Sequence, residues 1–207
     1  MAEQSTADLV VYSDYVCPFS YLGKESLENY REERDDPLDV EWRVFDLRGY
    51  KRDDDGELRD VDDGKDDDYM AKVRENVEHL KAQFDAEMTV DFSVDADSWN
   101  ANKATLFVRR NYDAETFRAF HDAVFEARWQ AARDIGDPDV LADAAADAGV
   151  DPGEVRDAIA DDALDADLEE RFDAARDAGV TGVPTFVGDR NEASGALPPE
   201  QLDRLVE

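Results

Sequence analysis

"DYVCPFSYLG", Asp14 to Gly23, lies where one sequence pattern gives way to another. Before it runs Leu9-Val10-Val11-Tyr12, continuous and apolar, which reads as a buried strand ending near Ser13. After it, Phe19, Leu22, Leu27 and Tyr30 recur at helical spacing until "REERDDP" closes the segment at Pro37. Then "DVEWRVFDL", Asp39 to Leu47, alternates Val40, Trp42 and Val44 with polar neighbours and predicts a second strand. Strand, helix, strand in some forty residues is a βαβ unit with parallel strands. At its first joint stands Cys17, the one cysteine of 207 residues.

Pro18 places Cys17 at the N-terminal edge of the helix. Unpaired N–H groups and the positive end of the helix dipole favour an anion there. A thiolate is the relevant anion, since helix N-termini can lower a cysteine pKa from about 8.5 into the range roughly 3.5–7.5. A partly exposed Cys17 with a depressed pKa is therefore expected. An inert buried cysteine is the bland alternative.

The rest of the chain is mostly helical. "YKRDDDGELRDVDDGKDDD", Tyr50 to Asp68, reads as a solvated loop. Met70, Val73, Val77, Leu80 and Phe84 form one apolar stripe, and Leu106 to Trp129 supplies two further helices. Asp137-Pro138 and Asp151-Pro152 are N-cap and first-turn pairs. A helix over 163–178 stops at Gly179. Strand signals return at Thr185-Phe186-Val187, after "GVTGVP", where Val183-Pro184 is a candidate cis bond at the start of a strand. A hairpin through "GDRNEASG" and a helix from Pro199 to Val206 complete the chain.

Composition sets the surroundings. The net charge is −31, from 54 acidic and 23 basic residues, with 36 Asp and only 6 Lys. Acidity spread along the whole chain indicates a surface adapted to high salt, where the Debye length shrinks to about 3 Å. Nucleic acid and anionic membranes are poor partners for such a surface. The N-terminus lacks a signal-peptide pattern and no apolar run reaches about 20 residues, so a cytoplasmic protein is expected. One cysteine excludes an internal disulfide. No metal cluster, phosphate loop or triad is visible, and both histidines, His79 and His121, read as structural.

Taken together, "VVYSDYVCPFSYLGKESLE", "VEWRVFDL", "ARDIGDPDVLADAAADAGVD" and "GVTGVPTFVGDRNEASGALPPEQL" resemble the DsbA-like thioredoxin-fold disulfide oxidoreductases. The similarity is to the FrnE-like branch in a halophilic archaeal form, related to kappa-class glutathione transferases and 2-hydroxychromene-2-carboxylate isomerases. The resemblance implies an α/β thioredoxin fold with a large helical insertion between its second and third strands. The discontinuous thioredoxin domain would span 1–50 and 178–207, with helix 163–178 at its edge, and 51–177 would hold the acidic loop and helical insertion. It implies Cys17 as nucleophile, with Pro18, Phe19, Val183 and Pro184 facing substrate across a cis bond. "DSWNANKATLF" resembles the stretch that lines the substrate cleft, which implicates Trp99 and Asn102.

One departure governs the expected chemistry. Redox-active members carry Cys-Pro-aromatic-Cys, whereas this chain reads Cys17-Pro18-Phe19-Ser20. Cys17 can form a mixed disulfide but lacks a resolving partner. Ser20 could instead donate a hydrogen bond to the Cys17 thiolate or to a bound thiol. Three readings stand: an oxidoreductase acting on protein or small thiols and disulfides, a transferase or isomerase using a low-molecular-weight thiol as co-substrate, and a non-catalytic binding module. No tightly bound cofactor is expected, and a homodimer is left open.

Overall fold

The structure is a computed structural model and describes residues 5–53 and 56–206. Strand β1 (Leu9–Ser13) is buried along its whole length. It pairs in parallel with β2 (Val40–Val44) on one side and antiparallel with β3 (Thr185–Val187) on the other. β4 (Glu192–Ser194) completes a four-stranded sheet of order β2-β1-β3-β4. A central strand covered on both faces has no solvated side, which is why β1 is continuously apolar while its neighbours are not.

Helix α1 (Pro18–Glu32) connects the parallel strands, and α2 (Asp67–Gln83), α3 (Trp99–Asn111), α4 (Ala114–Trp129), α5 (Pro138–Asp147) and α6 (Pro152–Ile159) follow β2. Helix α7 (Asp162–Asp177) leads back to the sheet and α8 (Pro199–Val206) ends the chain. The chain thus has the mixed α/β thioredoxin architecture with α2 to α7 between the second and third strands. Each proline-led helix of the insertion is capped as its sequence predicts. Asp137 accepts from the Asp139 N–H at 2.9 Å, and Asp151 from the Gly153 N–H at 2.7 Å.

One sheet face packs Leu9, Val11 and Phe186 against Leu27 and Tyr30 of α1 and Leu202 and Leu205 of α8. The other packs Val10 and Tyr12 against Ala175 of α7 and Val180. A third cluster joins Tyr15, Tyr21 and Leu22 to Phe120, Phe125 and Trp129 of the insertion. The Trp129 indole N–H donates to the Tyr15 carbonyl at 2.8 Å, so α4 is fastened to the turn just ahead of Cys17.

In the acidic segment after β2, residues 59–66 are largely exposed, as a solvated loop would be, but its start is ordered. Gly49–Lys51 forms a 3-10 turn, and Arg52 bridges to Leu58. The Arg52 side chain is 8% exposed and bonds Asp46 at 2.7 Å and Asp97 at 2.6 Å. Those contacts tie the segment to the approach of α3. Acids spaced far apart along the chain supply the fixings that apolar residues usually provide.

Candidate active site

Cys17 is the N-cap residue of α1, in extended conformation, with Pro18 in the first turn. Its N–H donates to the Asp14 carbonyl at 3.0 Å, and its own carbonyl accepts from the Ser20 N–H at 3.1 Å. The thiol donates to the Val183 carbonyl across 3.2 Å. The Val183–Pro184 bond is cis. The two motifs that flank the sheet, 166 residues apart, therefore meet at the sulfur.

Close approach between them depends on Gly23. A Cβ there would lie 3.1 Å from Pro184 Cγ and 3.2 Å from Phe186 Cζ. A glycine inside a helix lowers its stability. At this point it leaves room for the proline loop to settle onto α1.

The electrostatics differ from the sequence expectation. Cys17 is 3% exposed, and burial pushes its thiol up to about 11. The Ser20 side chain and the Ser20 and Phe19 N–H groups pull it down, while the charge of Asp14 adds to the rise. Desolvation of the anion outweighs the helix terminus. The resting Cys17 is a neutral thiol, and the expectation of an exposed thiolate is corrected accordingly.

Asp14, which sequence reasoning passed over, is fully buried three residues before Cys17. One carboxylate oxygen accepts from the Val16 N–H at 3.1 Å and the other from the Leu47 N–H at 2.7 Å. Burial raises its pKa to about 6 against the opposing pull of these bonds. The carboxylate clamps the end of β1 to the end of β2. A charged residue directly after a wholly buried strand was the available signal. Ser20 is buried beside it, its Oγ accepting from the Asp14 N–H at 3.4 Å.

Above the sulfur opens a cleft of about 750 Å³. Pro18, Phe19 and Val183 form its floor with Cys17, and residues from 47–51 and 58–70 form much of its wall. Trp99 and Asn102 do not line it. The Trp99 indole N–H donates to Asp165 at 2.7 Å, and its ring lies under the Arg52 guanidinium at 4.7 Å. These contacts hold it in a separate depression with Asn100, Gly136 and Glu169. Asn102 is buried on α3, with no hydrogen-bond partner for its side-chain amide. Of the eight residues singled out from sequence, four line the cleft, namely Cys17, Pro18, Phe19 and Val183, while Pro184 is buried against Gly23 of α1. Ser20 lies beneath them.

Among the described residues no group of three or more His, Cys, Asp and Glu could hold a metal ion, and no helix is long and apolar enough to cross a membrane.

The family described as the DSBA-like thioredoxin domain matches residues 8–207. The uncharacterized protein YwbO of Bacillus subtilis is 26% identical over 205 residues, covering 97% of this chain and 96% of that protein. A probable DsbA oxidoreductase from Streptomyces coelicolor superposes with a TM-score of 0.80 at 24% identity, over 96% of this chain and 87% of its own. A 2-hydroxychromene-2-carboxylate isomerase superposes with a TM-score of 0.74 at 18% identity, over 95% and 91% of the two chains.

Proposed function

The chain belongs to the DSBA-like thioredoxin domain family, and from that premise we propose that it is a thiol–disulfide oxidoreductase with Cys17 as its single nucleophile. The observation that carries this reading is the meeting of Cys17 with Val183 at the floor of an open cleft. The thiol loses its proton, and the thiolate attacks one sulfur of a substrate disulfide. A new Cys17–S bond forms as the substrate S–S bond breaks, and the other sulfur leaves as a thiolate that takes up a proton. An external thiol, of protein or low molecular weight, then attacks the mixed disulfide and restores Cys17. Val183 offers backbone groups to an extended substrate segment in the strand-addition mode. The FrnE-like assignment, a halophilic archaeal origin and a cytoplasmic setting form part of this proposal, supported by the motifs quoted above, the charge of −31 and the cysteine usage.

Incubation with a small aromatic disulfide tests it. One covalent adduct per chain is expected by mass spectrometry, formed faster as pH rises and reversed by added thiol. Absence of any adduct up to pH 10 defeats the proposal.

A transferase or isomerase using a thiol co-substrate is the second reading, favoured by the neutral state of Cys17 and by Ser20 in place of a second cysteine. Turnover of an electrophile with an added thiol, and no adduct with the disulfide, would select it.

A further inference from the structure

The wall of the Cys17 cleft reverses the charge balance of the chain. Overall, 54 acids face 23 bases. Among the described residues that line the cleft, Arg48, Lys51, Arg59 and Lys65 stand against Asp60, Asp63 and Asp95. Two of these cations share one carboxylate, with Lys51 at 2.9 Å and Lys65 at 3.1 Å from Asp63. Arg59 is exposed and donates to the Arg52 carbonyl at 3.2 Å, and among the described residues it has no carboxylate partner.

The same rim holds exposed large apolar residues. Among the described residues the exposed large hydrophobics are Tyr50 (54%), Tyr69 (44%) and Val61 (37%). Tyr50 and Tyr69 line the cleft, and Val61 belongs to the segment that walls it. Exposed apolar surface gathered at one mouth marks a contact surface, and tyrosine with arginine is typical of such surfaces.

We infer that the cleft receives an acidic polypeptide segment bearing apolar side chains beside its cysteine. The inference rests on the exchange reaction proposed above and names its substrate class. A small acidic thiol would satisfy the cations but leave Phe19, Met70, Val73 and Phe92 of the wall uncovered. An extended segment fills both, with its apolar residues on that wall and its carboxylates at Arg59 and Lys65. At molar salt the Debye length of about 3 Å removes long-range steering, so selection would operate through direct ion contacts.

Two synthetic peptides test this, each carrying one cysteine in a mixed disulfide with an aromatic thiol and a Phe beside it. They differ only in flanking Glu or flanking Lys. At one fixed salt concentration, the Glu peptide should exchange about fivefold faster, the factor given by two exposed ion pairs of middling strength. Arg59→Glu with Lys65→Glu should erase or invert that ratio, and Arg59→Gln should reduce it without reversing charge. Binding of thiol-free versions to Cys17→Ser, followed by fluorescence anisotropy, gives a readout independent of exchange. Acid preference in binding with no exchange by the unmodified chain would sustain this inference and defeat the oxidoreductase reading. Equal rates and equal binding for both peptides would overturn it. So would a small dicarboxylate disulfide reacting as fast as the Glu peptide, or a preference that survives Arg59→Glu with Lys65→Glu.

Discussion

The Cys17 thiol donates to the Val183 carbonyl at 3.2 Å, so the contact that assembles the site exists only while the sulfur holds its proton. A thiolate at the same point would face a carbonyl oxygen and lose its hydration together. Both effects act in the direction of the rise to about 11. Alkylation of Cys17 should therefore accelerate steadily above pH 8 without a plateau near neutrality. Because the folded pKa lies above the ordinary value of 9.0, this group's contribution to stability is complete below about pH 9 and falls away between 9 and 11. A thiolate absorbance midpoint below 8 in the folded chain would contradict this account.

Asp14 contributes to that rise, and Asp14→Asn separates its two roles. Removing the charge should lower the apparent pKa of Cys17. The amide would also turn a donor toward the Val16 or Leu47 N–H, so stability should fall by about 1–3 kcal/mol. The folded pKa of Asp14 is raised from 3.8 to about 6. The unmodified chain should lose this group's contribution as pH rises through that window, and the variant should lack that slope. Denaturant midpoints at pH 4 and pH 7, alongside alkylation rates, report both quantities.

Gly23 sets the distance between α1 and the proline loop. In Gly23→Ala the gain in helix propensity, about 1 kcal/mol, opposes a contact of 3.1 Å to Pro184 Cγ. The net change in stability should be small. Gly23→Val cannot be absorbed in the same way and should cost about 1–3 kcal/mol. Disulfide exchange by Gly23→Val should fall by more than its loss of folded protein explains, because the displaced loop carries Val183.

How much of this was legible beforehand depends on how local the cause is. The strand-to-helix joint at Cys17 follows from apolar periodicity and Pro18, and the hairpin from Thr185 to Ser194 follows from its turn residues. The state of Cys17 was not legible. Its burial is produced partly by the Val183 turn, which sequence places far away. Trp99 shows the same limit. Its indole is taken by Asp165, 66 residues later, on a helix whose docking no local pattern announces. Arg52 reads as one more charge in a polar run, yet it becomes the anchor of the cleft wall because Asp46 and Asp97 converge on it. Pairings among abundant acids have no period and leave no local signature.

His121 should contribute to the acid limb of stability. It is buried, with Nδ1 at 2.7 Å from the Tyr15 hydroxyl and Nε2 without a partner. Phe117 stacks on the ring at 5.8 Å, and Trp42 lies 4.6 Å from it. Burial, with a smaller push from Lys24, lowers its pKa from 6.5 to about 3. A base held neutral in the fold contributes stability above pH 6.5 and loses it as pH falls toward 3. His121→Phe should flatten that limb while lowering stability at neutral pH, because the Tyr15 hydroxyl loses one partner and keeps Thr105. An unchanged acid limb in the variant would show that other groups control it.

Ser20→Cys tests the consequence of the missing second thiol. Under the proposed exchange, release of a mixed disulfide from the unmodified chain must await an external thiol, so steady-state reduction of a protein disulfide should scale linearly with that thiol's concentration. Ser20 is buried one helical turn from Cys17, with its Oγ bonded to the Asp14 N–H. A sulfur there would attack the Cys17 mixed disulfide. A disulfide between Cys17 and the introduced sulfur would form, the substrate thiol would leave, and an external dithiol would then reduce the variant. Substrate release should become independent of the external thiol, with a single-turnover burst in its absence. Such a burst from the unmodified chain would mean that release has another route and that Ser20 does not limit the reaction.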